Sequence, residues 1–448
     1  MGKTKSNPLT GDQPAGSKVG EPGAHMAEIR KELGLVAALA LVVGNMVGSG
    51  VFLLPATLAP YGWSAMGGWV IALAGTLALA GCYAALSRQM PGTCGPHFYV
   101  EKAFGPNASY IAAWSYWIGV WVGNAALAVA VVSNLTVLWP GLAGDPLLSA
   151  LAAVGVLVLV TAINLAGIGA ASFVQQATTF LKLMPLLAVL GIAAWLLFTK
   201  GSAAVVNPPS AMEADGVITS VTLTMWAFLA FESATVPADK IRRPEFTVPV
   251  ATIVGPLLAG VLYMAISAAM IALVPADALA KSNAPFADFS APFIGSQAAA
   301  LIGVFAAISA LGTVNGLTLT AAELPRAMAL VGQFPQRFAG LNRAGAPAAA
   351  VLLSGGLAAA LVLMNTDRSL AGLFEFTILV ATAAMLVGYM AVGLAGLKLL
   401  SGPMRVIGLA GTLYSLFALY ASGLEATLWC FALIAAGWPV LLYARAKP

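Results

Sequence analysis

The chain has 448 residues, 60% hydrophobic and 8% charged, where an ordinary soluble domain carries about 25% charged residues; a water-soluble globule is excluded. The formal charge of +4 does not point to nucleic acid, because the basic residues sit in short loops between apolar runs rather than on one face. Three cysteines (Cys82, Cys94, Cys430) and two histidines (His25, His97) are too scattered for a disulfide framework, a zinc site or a Cys/His catalytic pair. The cysteines read as small apolar filler, and His97 as a residue of the loop 92–99.

Residues 1–25 are polar, rich in Gly and Pro and without apolar periodicity. They read as a disordered N-terminal tail or a tag ahead of a start at Met26, with 26–448 forming one transmembrane domain. Apolar runs then follow at 34–60, 63–88, 107–139, 147–168 and 173–199, at 216–238, 249–274, 295–330, 348–364 and 371–398, and at 403–422 and 426–444. A bilayer crossing takes about 20 helical residues, so the expectation is an all-α membrane protein with twelve transmembrane helices. With both termini in the cytoplasm, all but four of the 21 Lys and Arg residues fall on the inner side. Lys200, Lys281 and Arg368 face outward, and Lys182 lies inside the fifth run.

The first run contains Gly44-Asn45-Met46-Val47-Gly48-Ser49-Gly50 and then Pro55. Glycine costs a helix about 1 kcal/mol relative to alanine and Pro55 removes a hydrogen bond, so the helix is expected to break near Gly48. Non-helical backbone at membrane depth lines a cavity or is buried in protein, and free N–H groups there seat a carboxylate. Close helix packing through small residues is the alternative use of such glycines. The sixth run repeats the pattern: Glu232 precedes Pro237 by five residues, as Gly50 precedes Pro55. Interruptions at corresponding positions of two halves point to a 5+5 inverted repeat with discontinuous helices 1 and 6 and a midplane site. The halves would span about 33–199 and 216–398, with helices 11 and 12 (about 403–444) outside the repeat.

An ionisable group within a span is a functional candidate. Glu232 reads as a carboxyl that takes a proton when a cation leaves, or that ties a gate shut; a structural hydrogen-bonded acid is the alternative. For Lys182, a side chain snorkelling to the interface is the alternative to a functional charge. No clustered His, Cys and carboxylates suggest an enzyme, no filter sequence suggests a channel, and no cofactor is implied.

Through Gly48-Ser49-Gly50-Val51-Phe52-Leu53-Leu54-Pro55, Phe231-Glu232-Ser233 and Arg243-Pro244 to Thr252, the chain resembles the amino acid-polyamine-organocation family, and within it the arginine/agmatine exchangers. The resemblance implies that the segment of Asn45, Met46, Gly48, Ser49 and Gly50 binds substrate, the Ser49 hydroxyl and Gly50 N–H holding a carboxylate. Carbonyls of Met46, Trp226 and Leu229 would take an α-amine, with Trp226 covering the substrate. Tyr116, Trp117, Gly119, Val120 and Asn124 match the side-chain pocket, and Tyr116, Glu232 and Tyr389 the cytoplasmic gate. Two positions depart from the exchangers. Leu317 stands where they have an aromatic gate and offers no cation-π face; Lys182 matches members in which a lysine replaces bound sodium. The implied function is sodium-independent exchange of cationic amino acids or their amines in the bacterial inner membrane, with protons and a homodimeric partner as further implications. A proton-coupled or exchange carrier of neutral amino acids is the alternative.

Overall fold

A segment crossing a bilayer meets no water to satisfy its peptide groups, so each apolar run closes its own hydrogen bonds as helix. The structure, a computed structural model, describes residues 33–48, 51–90, 96–167, 174, 178, 181–235 and 241–446. The main helices are α1 (Leu35–Met46), α2 (Leu54–Leu58), α3 (Ser64–Gln89), α4 (Pro96–Phe104), α5 (Pro106–Leu135), α6 (Pro146–Leu165), α7 (Leu183–Lys200) and α8 (Ala214–Phe228). They continue with α9 (Pro244–Leu273), α10 (Pro285–Ile294), α11 (Ser296–Leu330), α12 (Ala348–Leu363), α13 (Leu370–Leu399), α14 (Met404–Ala421), α15 (Gly423–Ala435) and α16 (Gly437–Ala446). Ten described helical stretches are long and apolar enough to cross a membrane, and α1 and α12 are shorter apolar helices. Each apolar run of the sequence contains one of these twelve.

Local signals set many of the helix ends. Asp145 caps α6, its carboxylate accepting from the Leu147 and Leu148 N–H groups at 2.9 and 3.1 Å. Proline stands at the start of α4, α5, α6, α9 and α10, where its missing N–H is not needed. That corrects the placing of His97 in a loop: it is the second residue of α4, because Pro96 opens a helix there. A second element unforeseen in the sequence is α10, between the seventh and eighth runs.

The innermost helices are α5 and α13, with 94% and 78% of their most apolar windows buried; α6 and α7 bury 28% each. α13 and α11 pack along α5, and α6 and α12 pack on each other and on α5. On the other side α3 packs on α8 and α9, and α1 on α9. The two broken segments lie between these groups.

Candidate functional site

Both expected interruptions are present. α1 ends at Met46, after which Val47 is extended (φ −70°, ψ 113°) and Gly48 takes φ 112°. A Cβ on Gly48 would lie 2.3 Å from Thr313 Oγ1 and 3.3 Å from the Ser309 carbonyl, so only glycine fits both the dihedral and the space against α11. Ser49 and Gly50, expected to hold a carboxylate, lie outside the described residues. The chain resumes as turn at Val51 and as helix at Leu54, with Pro55 in the first turn of α2.

α8 stops at Phe228. Leu229 is extended in ψ (152°) and Ala230 sits at φ 70°, a left-handed conformation that costs a residue with a Cβ roughly 1–2 kcal/mol. Phe231 and Glu232 are turn, and a 3-10 turn covers Ser233–Thr235. Such strain persists only where surroundings hold it and marks functional segments. The Trp226 carbonyl accepts the Leu229 N–H at 3.3 Å, leaving one lone pair for a further donor. The two breaks are joined directly, since Asn45 Nδ2 donates to Ser233 Oγ at 3.0 Å.

Glu232 is fully buried and accepts two phenol hydrogen bonds. Tyr116 Oη of α5 donates to Oε1 at 2.8 Å and Tyr389 Oη of α13 donates to Oε2 at 3.0 Å. The structure therefore brings together Tyr116, Glu232 and Tyr389, which are 116 and 157 residues apart in sequence. An aromatic layer backs them: Phe231 lies 5.1 Å from Tyr389 and 5.3 Å from Tyr83 between ring centroids. Beyond this layer opens a cavity of about 620 Å³, lined by Tyr83, Tyr116, His97, Thr320, Glu323 and Gly388 among others. Tyr83 and Tyr116 belong both to the cavity wall and to the cluster around Glu232, so the cavity adjoins that cluster.

Lys182 is 1% exposed, which overturns the snorkelling reading. Its ammonium donates to the Gly44 carbonyl at 3.0 Å and to Thr313 Oγ1 at 3.1 Å. The charge thus links the broken end of α1 to α11, beside the wall that Gly48 touches. Nothing in the sequence named Thr313 or Ser233 as partners; their only signals were a hydroxyl mid-helix and a hydroxyl next to the intramembrane acid.

The side-chain pocket is less uniform. Asn124 Nδ2 donates to Thr318 Oγ1 at 3.3 Å, while its buried Oδ1 has no partner among the described residues. Trp226 is buried, its indole N–H has no partner among the described residues, and its ring edge would lie 3.0 Å from a Cβ on Gly123. Buried polar groups are nearly always paired, so this acceptor and this donor stand out from the rest of the interior. Val120 is fully buried. At Gly119 a Cβ would strike Met385 Cγ at 2.4 Å and the Ala381 carbonyl at 2.9 Å, so its missing side chain serves the close packing of α5 on α13. Leu317 is half-buried and packs against the core.

Helices that surrender their hydrogen bonding midway, with a buried acid and a buried ammonium at the gaps, are features of membrane transport proteins. The chain belongs to the amino acid permease family, whose model matches residues 33–442. It is 32% identical over 348 residues to the cadaverine/lysine antiporter of Escherichia coli K12, covering 76% of this chain and 77% of that protein. To the putrescine transporter PotE of the same strain it is 29% identical over 431 residues, 93% of this chain and 96% of that protein. PotE of Haemophilus influenzae is 28% identical over 434 residues, 94% and 99% of the two chains. These relatives are carriers by name, and this chain is likewise a transporter rather than an enzyme.

Proposed function

We propose that the protein exchanges cationic amino acids or the corresponding amines across the bacterial inner membrane, without sodium, by alternating access. Twelve spans in two inverted five-helix repeats, both termini cytoplasmic, are the architecture of this reading; the matching breaks in α1 and after α8 support it. The observation that carries it is the fully buried Glu232 held by two phenols, one of which, Tyr116, also lines the cavity. A carboxyl so placed is exposed to a cation only when the phenols let go, which ties gate opening to substrate charge. The relatives that carry lysine, cadaverine and putrescine agree with a cationic cargo.

In this mechanism the segment from Asn45 to Gly50 and the carbonyls of Trp226 and Leu229 grip the α-ammonium and carboxylate, while Asn124 Oδ1 accepts from the distal cation. Asn45 and Ser233 make the two breaks move as one. The Lys182 ammonium stands on Gly44 and Thr313, where its charge excludes a sodium ion. Release of the substrate lets the α1 and α8 segments rock against α5, α11 and α13.

The test is exchange in liposomes preloaded with lysine, arginine, cadaverine, putrescine or a neutral amino acid, at two pH values and with or without sodium. Cationic substrates are expected to exchange equally well with and without sodium and to lose exchange in Glu232→Ala. Equal exchange by the wild type and Glu232→Ala at every pH overturns the reading. Leu317, which offers no aromatic face, favours a neutral amino acid carrier as the second reading, and exchange confined to the neutral member of the panel would establish it.

A further inference from the structure

The helix of the last apolar run is interrupted at Ala436, and a groove lies beside the interruption. α15 stops at Ala435 and α16 starts at Gly437. A Cβ on Gly437 would lie 2.5 Å from Trp114 Cε2, so the indole reaches the backbone only because the residue is glycine. Tyr110 Oη donates to the Gly437 carbonyl at 2.7 Å and Trp114 Nε1 to the Leu433 carbonyl at 3.0 Å, which satisfies backbone acceptors at the kink. Between α15, α16, α5 and α12 lies a cavity of about 540 Å³ whose wall includes Trp117, Trp121, Phe334, Phe338 and Leu357. Arg337 is the single charged residue of the lining among the described residues. Its guanidinium carbon stands 5.1 Å from the Phe338 ring centroid, and it enters no ion pair among the described residues. Neighbouring apolar side chains point outward: Leu352 is 55% and Tyr443 53% exposed.

We propose that this groove holds an acyl chain of an anionic phospholipid, with the lipid phosphate on Arg337. An apolar trough with one cation at its mouth is complementary to an apolar tail under one anionic head. The loop that carries Arg337 is the one that positive-inside counting puts at the cytoplasmic surface, where basic groups between spans select anionic heads. Moving a tail from bilayer to groove is nearly neutral, because lipid tails are as apolar as the side chains they meet. The guanidinium–phosphate contact therefore decides which lipid stays. The site bears on transport through α5: Trp117 Nε1 donates to the Ala321 carbonyl and to Ser354 Oγ, both at 3.0 Å, and the adjacent Tyr116 holds Glu232. A lipid in the groove braces the helix that carries the gate.

Full-length protein is equilibrated with phosphatidylcholine vesicles containing phosphatidylglycerol, extracted in mild detergent and weighed by native mass spectrometry. The expected result is one phosphatidylglycerol retained per wild-type chain, about fivefold less in Arg337→Gln, and none in Leu357→Trp, which fills the trough. In unmutated protein, brominated phosphatidylglycerol should quench tryptophan fluorescence more than brominated phosphatidylcholine, a readout that needs no variant to fold and no transported substrate. Equal retention by the wild type and both variants, or equal quenching by the two brominated lipids, overturns the proposal. So does a disulfide-linked dimer formed by Tyr443→Cys in the presence of phosphatidylglycerol, which would give the groove to a second copy of the chain.

Discussion

Glu232, Gly48 and Lys182 each hold one of the broken segments against a neighbouring helix. Two phenols donate to Glu232, and a hydrogen bond to a charged group contributes roughly 1.5–3 kcal/mol. Tyr116→Phe and Tyr389→Phe each remove one of them, so, if the cluster is the proposed gate, each is expected to loosen its closed form by about tenfold in population, read as faster labelling of a thiol placed at Ser233. The double variant should lose less than the sum of the single losses, because the two phenols share one carboxylate; strict additivity would show that the phenols act independently. Gly48→Ala meets both the left-handed dihedral and Thr313 Oγ1 at 2.3 Å. Substrate binding should fall by more than tenfold, and adding Thr313→Ala should restore only part of it, since the dihedral cost of roughly 1–2 kcal/mol remains. Titration calorimetry of the three proteins separates these contributions. The sequence made Gly48 legible, because glycine repeated before a proline in an apolar run has few other uses. Gly119 was not legible in the same way: a helical glycine reads alike whether it faces a ligand or another helix, and only the position of Met385 on α13 decides between them.

At the scale of elements, the breaks are held together by cross-links between segments that are distant in the chain. Asn45 to Ser233 ties the end of α1 to the turn after α8. The start of the same unit is also tied, because the Arg242 N–H donates to the Leu33 carbonyl at 2.8 Å in an isolated parallel bridge between Leu33 and Ile241. A double-mutant cycle on Asn45→Ala and Ser233→Ala is expected to show a coupling of about 1 kcal/mol in exchange rate; zero coupling would mean that the two segments move separately. Lys182 makes the second kind of cross-link. Lys182→Ala leaves the Gly44 carbonyl and Thr313 hydroxyl without their donor, and exchange should fall at least tenfold while the protein still reaches the membrane. Lys182→Arg should not rescue it, since a planar guanidinium is larger than the ammonium it replaces. The sequence flagged Lys182 by its depth in an apolar run. It could not choose between a buried ion and a snorkelling one, because that depends on whether the four-carbon stem points along the helix or across to α1.

For the whole molecule, the positive-inside count makes a topological prediction. A single cysteine at the exposed Ser210 and one at the exposed Ser401, each in a background without the native cysteines, should be labelled from opposite sides of sealed membrane vesicles by an impermeant thiol reagent. Labelling from one side would remove a span from the count. The twelve apolar runs, the two interruptions and the acid beside the second one were all determined by the sequence. Each follows from a local rule: the length needed to cross the bilayer, the cost of glycine and proline in a helix, and the cost of a charge in lipid. What only the tertiary structure decided is which groups meet. Tyr116 and Tyr389 on one carboxylate, the Lys182 ammonium on Gly44 and Thr313, and Trp114 on the kink at Gly437 all join helices far apart in the chain. Periodicity fixes the face of a helix but not the neighbour it turns toward, and every one of these contacts depends on the neighbour.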